Sequence, residues 1–195
     1  MRFMAFGSAW RQIAVWLMAT SLAGVAHAGG GRVLDQRFVF QPQATGDGVA
    51  ESFFGHAVAM TDTKMIVGAP AASRFDPTAS HGIAMIYAFG GGAWEHEATL
   101  QPAILDGDEA GWAVDIDGNL AGVGVPATTV AAQPSAGLVY VYREDSPGTW
   151  NQIAVLQAPV PAANDRVGSA VSIDAANGRI MVGAPGRTQP GPAPN

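Results

Sequence analysis

Three sets of residues in this 195-residue chain have types and spacings that could do chemistry. Gly122-Val123-Gly124-Val125-Pro126-Ala127 has the form of a dinucleotide-binding fingerprint, in which glycines let the backbone approach a pyrophosphate at a helix N-terminus. Pro126 argues against that use, because it marks a strand end and no helical pattern follows. The second set is histidine. His56, His81 and His96 lie far apart, and neither a His-Glu-x-x-His pair nor a Gly-x-Ser-x-Gly elbow accompanies them. The third set is the acidic loop Asp106-Gly107-Asp108-Glu109, whose oxygens are of the kind that hold a hard cation. Yet Asp108 stands three residues before Gly111, as Asp165 does before Gly168 and Ser52 before Gly55. Short oxygen side chains at one constant offset are read as turn residues that bond to backbone. The expectation is therefore no catalytic residue, no cofactor-binding residue and no metal ligand.

The constant offset arises because a phrase recurs three times. It runs Phe54-Gly55-His56-Ala57-Val58 to Val67-Gly68-Ala69-Pro70, then Gly111-Trp112-Ala113-Val114 to Val123-Gly124-Val125-Pro126, then Gly168-Ser169-Ala170-Val171 to Val182-Gly183-Ala184-Pro185. Self-similarity at such a period means one supersecondary unit copied along the chain, with each copy burying apolar surface against its neighbours. The first unit reads as strands His56–Met60, Lys64–Val67, Ile83–Phe89 and Trp94–Leu100. The second reads as Trp112–Ile116, Leu120–Val123, Leu138–Arg143 and Trp150–Leu156. Four short antiparallel strands per repeat predict β-propeller blades, and the amphipathic helices of a helical solenoid are missing. Gly68, Gly124 and Gly183 are expected where backbones approach closely, and Pro70, Pro126 and Pro185 where a ladder stops. Trp94 and Trp150 recur at one position and are read as packing between blades.

An address precedes the repeats. Arg2 and Arg11 flank a positive start, Ile13 to Val25 is uncharged and mostly apolar, and Ala26-His27-Ala28 is a small-x-small site before Gly29. This predicts a signal peptide over 1–28 cut between Ala28 and Gly29, since the apolar run is too short to span a bilayer. The location expected is extracytoplasmic, secreted or periplasmic, with no membrane span after cleavage. There are no cysteines, so burial and strand pairing must supply stability without disulfides. A net charge of −6, with no basic run, excludes nucleic acid and anionic membranes as partners.

The three phrases resemble the FG-GAP repeat of the integrin alpha-chain β-propeller in its bacterial exported form. Phe54-Gly55 with Gly68-Ala69-Pro70 matches the motif fully. The second copy departs with Ala110-Gly111 and Gly124-Val125-Pro126, and the third with Val167-Gly168 before an intact Gly183-Ala184-Pro185. The resemblance covers roughly residues 37 to 185 and implies an extracellular propeller that adheres or binds ligand. It also implies, in many members, a calcium loop between the first two strands. Here Asp115, Asp117 and Asn119 have the opening spacing of such a loop, but apolar Val123 stands at its ninth position, so Asp117-Gly118 is read as a tight hairpin turn.

The fold class expected is all-β, a partial β-propeller of four-stranded antiparallel blades with two complete and one incomplete. Its segments are 1–28, a signal peptide; 29–53, with one blade-type strand at about 37–42; 54–110, blade 1; 111–163, blade 2; 164–185, the first two strands of blade 3; and 186–195, a Pro/Gly-rich tail. So few blades cannot close a ring. The count reads as the N-terminal part of a longer propeller. Assembly of several copies into a ring is disfavoured, because a neighbour's N-terminal strand cannot replace a missing third strand. The edge at Ile180 to Val182 is an association hazard, with self-association through the open blade as the consequence. The function expected is a non-enzymatic binding or adhesion module for a protein or glycan ligand outside the cell. The alternatives are the propeller scaffold of a larger exported enzyme, or a non-functional remnant.

Overall fold

The computed structural model describes residues 52–72, 81–103 and 107–188, all within the compact unit Phe40–Asn195. The expected cleavage site at Ala28 and Gly29, the strand at 37–42, Asp106 and the tail beyond residue 188 lie outside the described residues. Among the described residues the chain is all-β, with three antiparallel sheets of four, four and two strands that form a partial propeller and do not close.

The first blade orders β1 (Ala57–Met60), β2 (Lys64–Ala69), β3 (Ile83–Gly90) and β4 (Ala93–Leu100) side by side. The second repeats this with β5 (Ala113–Asp117), β6 (Leu120–Val125), β7 (Leu138–Ser146) and β8 (Thr149–Leu156). The third contains β9 (Ala170–Asp174) and β10 (Arg179–Gly183). The expected strands agree with the observed ones to within a few residues at their ends. Each second strand stops at or just before the motif proline, which has no amide hydrogen to offer.

The repeat extends to irregularities. The register between third and fourth strand slips at Ile86/Tyr87 in one blade and at Val141/Tyr142 in the next, a bulge that sharpens the local twist at the same place. The principal core lies between the two complete blades. Ile66, Ala84, Ile86 and Leu100 of the first blade pack with Val114, Ile116, Val123 and Val125 of the second. Tyr142 belongs to the same cluster, and its buried hydroxyl has no hydrogen-bond partner. Burial, with the nearby Tyr140, pushes its pKa well above the usual phenol range. Removing an unsatisfied buried hydroxyl relieves its desolvation cost. Tyr142→Phe is expected to stabilise the protein by about 1 kcal/mol, read as a rise in melting temperature.

Candidate functional site

The two halves of the recurring phrase meet within each blade. The amide of Gly55 donates to the carbonyl of Gly68 at 3.0 Å, Gly111 to Gly124 at 3.1 Å and Gly168 to Gly183 at 3.0 Å. Each first glycine also sits in a tight turn. His56 N–H donates to Phe53 C=O at 3.0 Å, Trp112 to Glu109 at 3.2 Å and Ser169 to Arg166 at 3.2 Å. The glycine φ values, 89°, 87° and 92°, are those of the third residue of a type II turn, which only glycine adopts without strain.

Between blades the same glycines touch. A Cβ added to Gly68 would overlap the carbonyl oxygen of Gly111, and one on Gly124 would overlap that of Gly168. Parallel bridges add to each junction, Gly82 with Ala110 and Gly137 with Val167. The three atoms nearest a Cβ on Gly183, by contrast, all belong to Ala170 of its own blade, and Pro185 is exposed where Pro70 and Pro126 are buried. Ala69 is fully buried and Ala184 half-buried, for the same reason.

The acidic residues have structural partners. Asp165 accepts from the Ala162 amide at 2.9 Å, the expected turn bond, and from Arg187 Nη1 at 3.0 Å. Asp108 instead accepts from the side chain of Thr128 at 2.7 Å, and Ser52 uses its backbone carbonyl, which accepts from the Ala71 amide at 3.1 Å. The tight hairpin turn is present but falls one residue later than expected, on Gly118-Asn119, because Asp117 still pairs with Leu120, and the sequence did not reveal what the Asp117 carboxylate does. Asp115 Oδ2 accepts from the amide of Ile173 at 2.6 Å, and Asp117 Oδ2 from that of Ala175 at 2.8 Å. Ile173 lies in β9, whose only paired neighbour among the described residues is β10, and Ala175 in the turn that follows it, so one blade's carboxylates cap amides at the inner strand of the next. Among the described residues no cluster of three or more His, Asp or Glu could hold a metal ion.

A second link joins the complete blades further out. Lys64 Nζ lies 2.7 Å from Glu97 Oε1 and 2.7 Å from Glu144 Oε1, and Trp150 Nε1 donates to Glu97 Oε1 at 3.0 Å. The ammonium also sits 5.5 Å from the centroid of the Trp150 ring. Trp150 thus packs between blades as expected, whereas Trp94 meets Phe89 of its own blade with the rings tilted at 55° and their centroids 5.2 Å apart. Of the histidines, His56 faces Trp112 at 4.5 Å between ring centroids, and His96 bonds to Thr99 at 3.0 Å. The fingerprint-like run at Gly122 ends in β6 and the turn after it, with no helix.

What is left for a ligand is the rim where the inner strands begin. Phe53, Glu109 and Arg166 stand at one equivalent position, two residues before Gly55, Gly111 and Gly168, and all three have positive φ, at 52°, 64° and 56°. For a bulky non-glycine side chain this backbone costs of order 1–2 kcal/mol, and such strain gathers at functional positions. Their side chains differ completely in chemistry. Phe53 is 70% exposed and Arg166 exposed, with the guanidinium 5.7 Å from the Trp112 ring centroid, so apolar, acidic, basic and aromatic groups alternate along one edge. A groove of about 250 Å³ lies elsewhere, lined by Leu156, Pro159, Val167, Val182 and Arg187. It sits beside the edge of β10 that is unpaired among the described residues, and the polar side chains of its lining are Gln157 and Arg187.

Fold and surface together define a non-closed propeller segment whose blades present one variable side chain each on a repeated turn. No protein-family model matches the chain, and no curated protein matches it.

Proposed function

We propose that this chain is an exported FG-GAP-type repeat protein that acts as a binding or adhesion module and performs no chemistry of its own. The observation that supports this reading is the row of strained turns. Evolution of a purely structural turn favours glycine or asparagine at positive φ, yet three equivalent positions hold Phe53, Glu109 and Arg166. A backbone that accepts strain to display three different side chains is suited to recognition. The neighbouring His56 and Trp112 add ring faces and a hydrogen-bonding edge, which suits a protein or glycan surface better than a small apolar molecule.

The test uses glycine, because glycine keeps the turn while deleting the side chain. The wild type and the pair Phe53→Gly with Arg166→Gly are applied to a printed glycan array and to immobilised extracellular-matrix proteins. Binding by the wild type that falls at least about tenfold in the double variant, with a melting temperature that is not lowered, supports the rim as the site. Binding that is unaffected by the double variant contradicts it.

A further inference from the structure

The two internal junctions follow one rule for apolar side chains as well as for glycines. Val114 and Ile116, on the face that β5 turns to the first blade, are 7% and 4% exposed and share a cluster with Ile66 of β2. In the same way Val171 and Ile173 of β9 lie against Gly122 of β6. At the two ends of the stack the equivalent positions are uncovered. Val58 and Met60, the counterparts of Val114 and Ile116, are 64% and 66% exposed, and nothing lies within 4 Å of a Cβ placed on Gly55. Met181 stands two residues before Gly183, as Ile66 does before Gly68, and it is 76% exposed where Ile66 is fully buried. The leading face therefore carries what the second blade offers to the first, and the trailing face carries what the first offers to the second.

We propose that these faces are the two halves of one further junction, and that the partner which covers them is a second copy of this chain, docked head to tail. β9 and β10 of one copy receive β1 of the other. Met181 packs on Val58 and Met60, and Gly183 lies against Gly55. Ser172 and Asp174 occupy in β9 the places that Asp115 and Asp117 occupy in β5. In the docked pair they face the amides of Met60 and Asp62 of the second copy, as Asp115 and Asp117 face those of Ile173 and Ala175. The contact is heterologous, so an open assembly keeps one free face of each kind at its ends, and only closure into a ring would use them all. It uses only the inner half of a junction, without the parallel bridges that Gly82 and Gly137 supply inside the chain. Association is therefore weak and reversible.

Because the two faces differ, the proposal makes a complementation test. Met181→Asp disables the trailing face and Met60→Asp the leading face, and both residues are exposed, so folding is checked by circular dichroism and survives. Sedimentation of the full chain at about 100 µM is expected to show a mass that rises with concentration. Each variant alone is expected to lose self-association at least a hundredfold, because a carboxylate would be buried unpaired among apolar side chains. An equal mixture of the two variants restores a dimer and nothing larger, since one intact face of each kind remains. A wild type that stays monomeric overturns the proposal, as does a mixture that stays monomeric. Association that survives both substitutions also overturns it and moves the contact to the exposed Ile153 and Val155 of β8.

Discussion

Gly111→Ala is expected to remove a large share of the stability of the protein. Two costs combine at this residue. Its φ of 87° is closed to a residue with a Cβ, at about 1–2 kcal/mol, and the new methyl would overlap the carbonyl oxygen of Ile83 and press on the amide of Ala69. Those atoms are backbone in strands already paired on both sides, so they cannot move aside as a side chain would. Overpacking of this kind adds about 1–3 kcal/mol, and the total of about 2–5 kcal/mol is a large share of an ordinary domain's margin. Urea unfolding followed by tryptophan fluorescence measures it, and Gly168→Ala is expected to behave alike at the second junction.

Lys64→Met is the next largest expected loss. The ammonium is the only cation in contact with Glu97 and Glu144 among the described residues, and all three side chains are largely buried. Removing it leaves two carboxylates near one another without a counter-charge, at a cost of about 2–4 kcal/mol, somewhat below that of a fully buried pair. Burial by itself raises the pKa of Glu97, but hydrogen bonds from Lys64 and Trp150 and the Lys64 charge outweigh it and hold the carboxyl below its ordinary 4.5. Its contribution is therefore complete above the unfolded value and fades as pH falls through the lower folded value. Burial likewise lowers the pKa of Lys64, and the bonds and charges of Glu144 and Glu97 overcome that and raise it above 10.5. Its share is complete below 10.5 and lost as pH rises through the folded value. The penalty of Lys64→Met is accordingly expected to be largest near neutrality and to shrink in acid, where the stranded carboxylates take up protons. Unfolding midpoints for wild type and variant across that range check this, and a penalty independent of pH would contradict the ion-pair account.

What repeats in the sequence could be read from it, and what does not repeat could not. The strands, the tight hairpin between β5 and β6 and the close approach at Gly68 and Gly124 all follow from residues that recur in register, although the turn itself falls on Gly118-Asn119. The Lys64 network left no such trace, because its members occupy positions held by Leu120, Ile153 and Phe89 in the neighbouring repeat. Its bonds join residues 33 and 80 positions apart, and only the stacking of blades brings them together. Asp115 was visible as an acid in a strand, but its partner amide lies 58 residues on and belongs to an edge that exists only after β9 has formed. The rim had a signal that could have been used. Phe53, Glu109 and Arg166 share one offset before a motif glycine, yet they share no chemistry, and a positive φ is not written in any of the three residue types.

The central claim is that the recurring glycines stack blade on blade, and a comparison of Gly55→Ala with Gly111→Ala tests it most directly. Both glycines have nearly the same φ, 89° and 87°, so the backbone cost of alanine is common to the two and cancels in the difference. Only Gly111 is covered by another blade, while the Cβ position of Gly55 is open. Under dilute conditions, where copies are apart, Gly111→Ala is expected to cost about 1–3 kcal/mol more than Gly55→Ala in urea unfolding. Equal losses at the two sites would mean that no blade rests on Gly111, and that the repeats do not stack in this way.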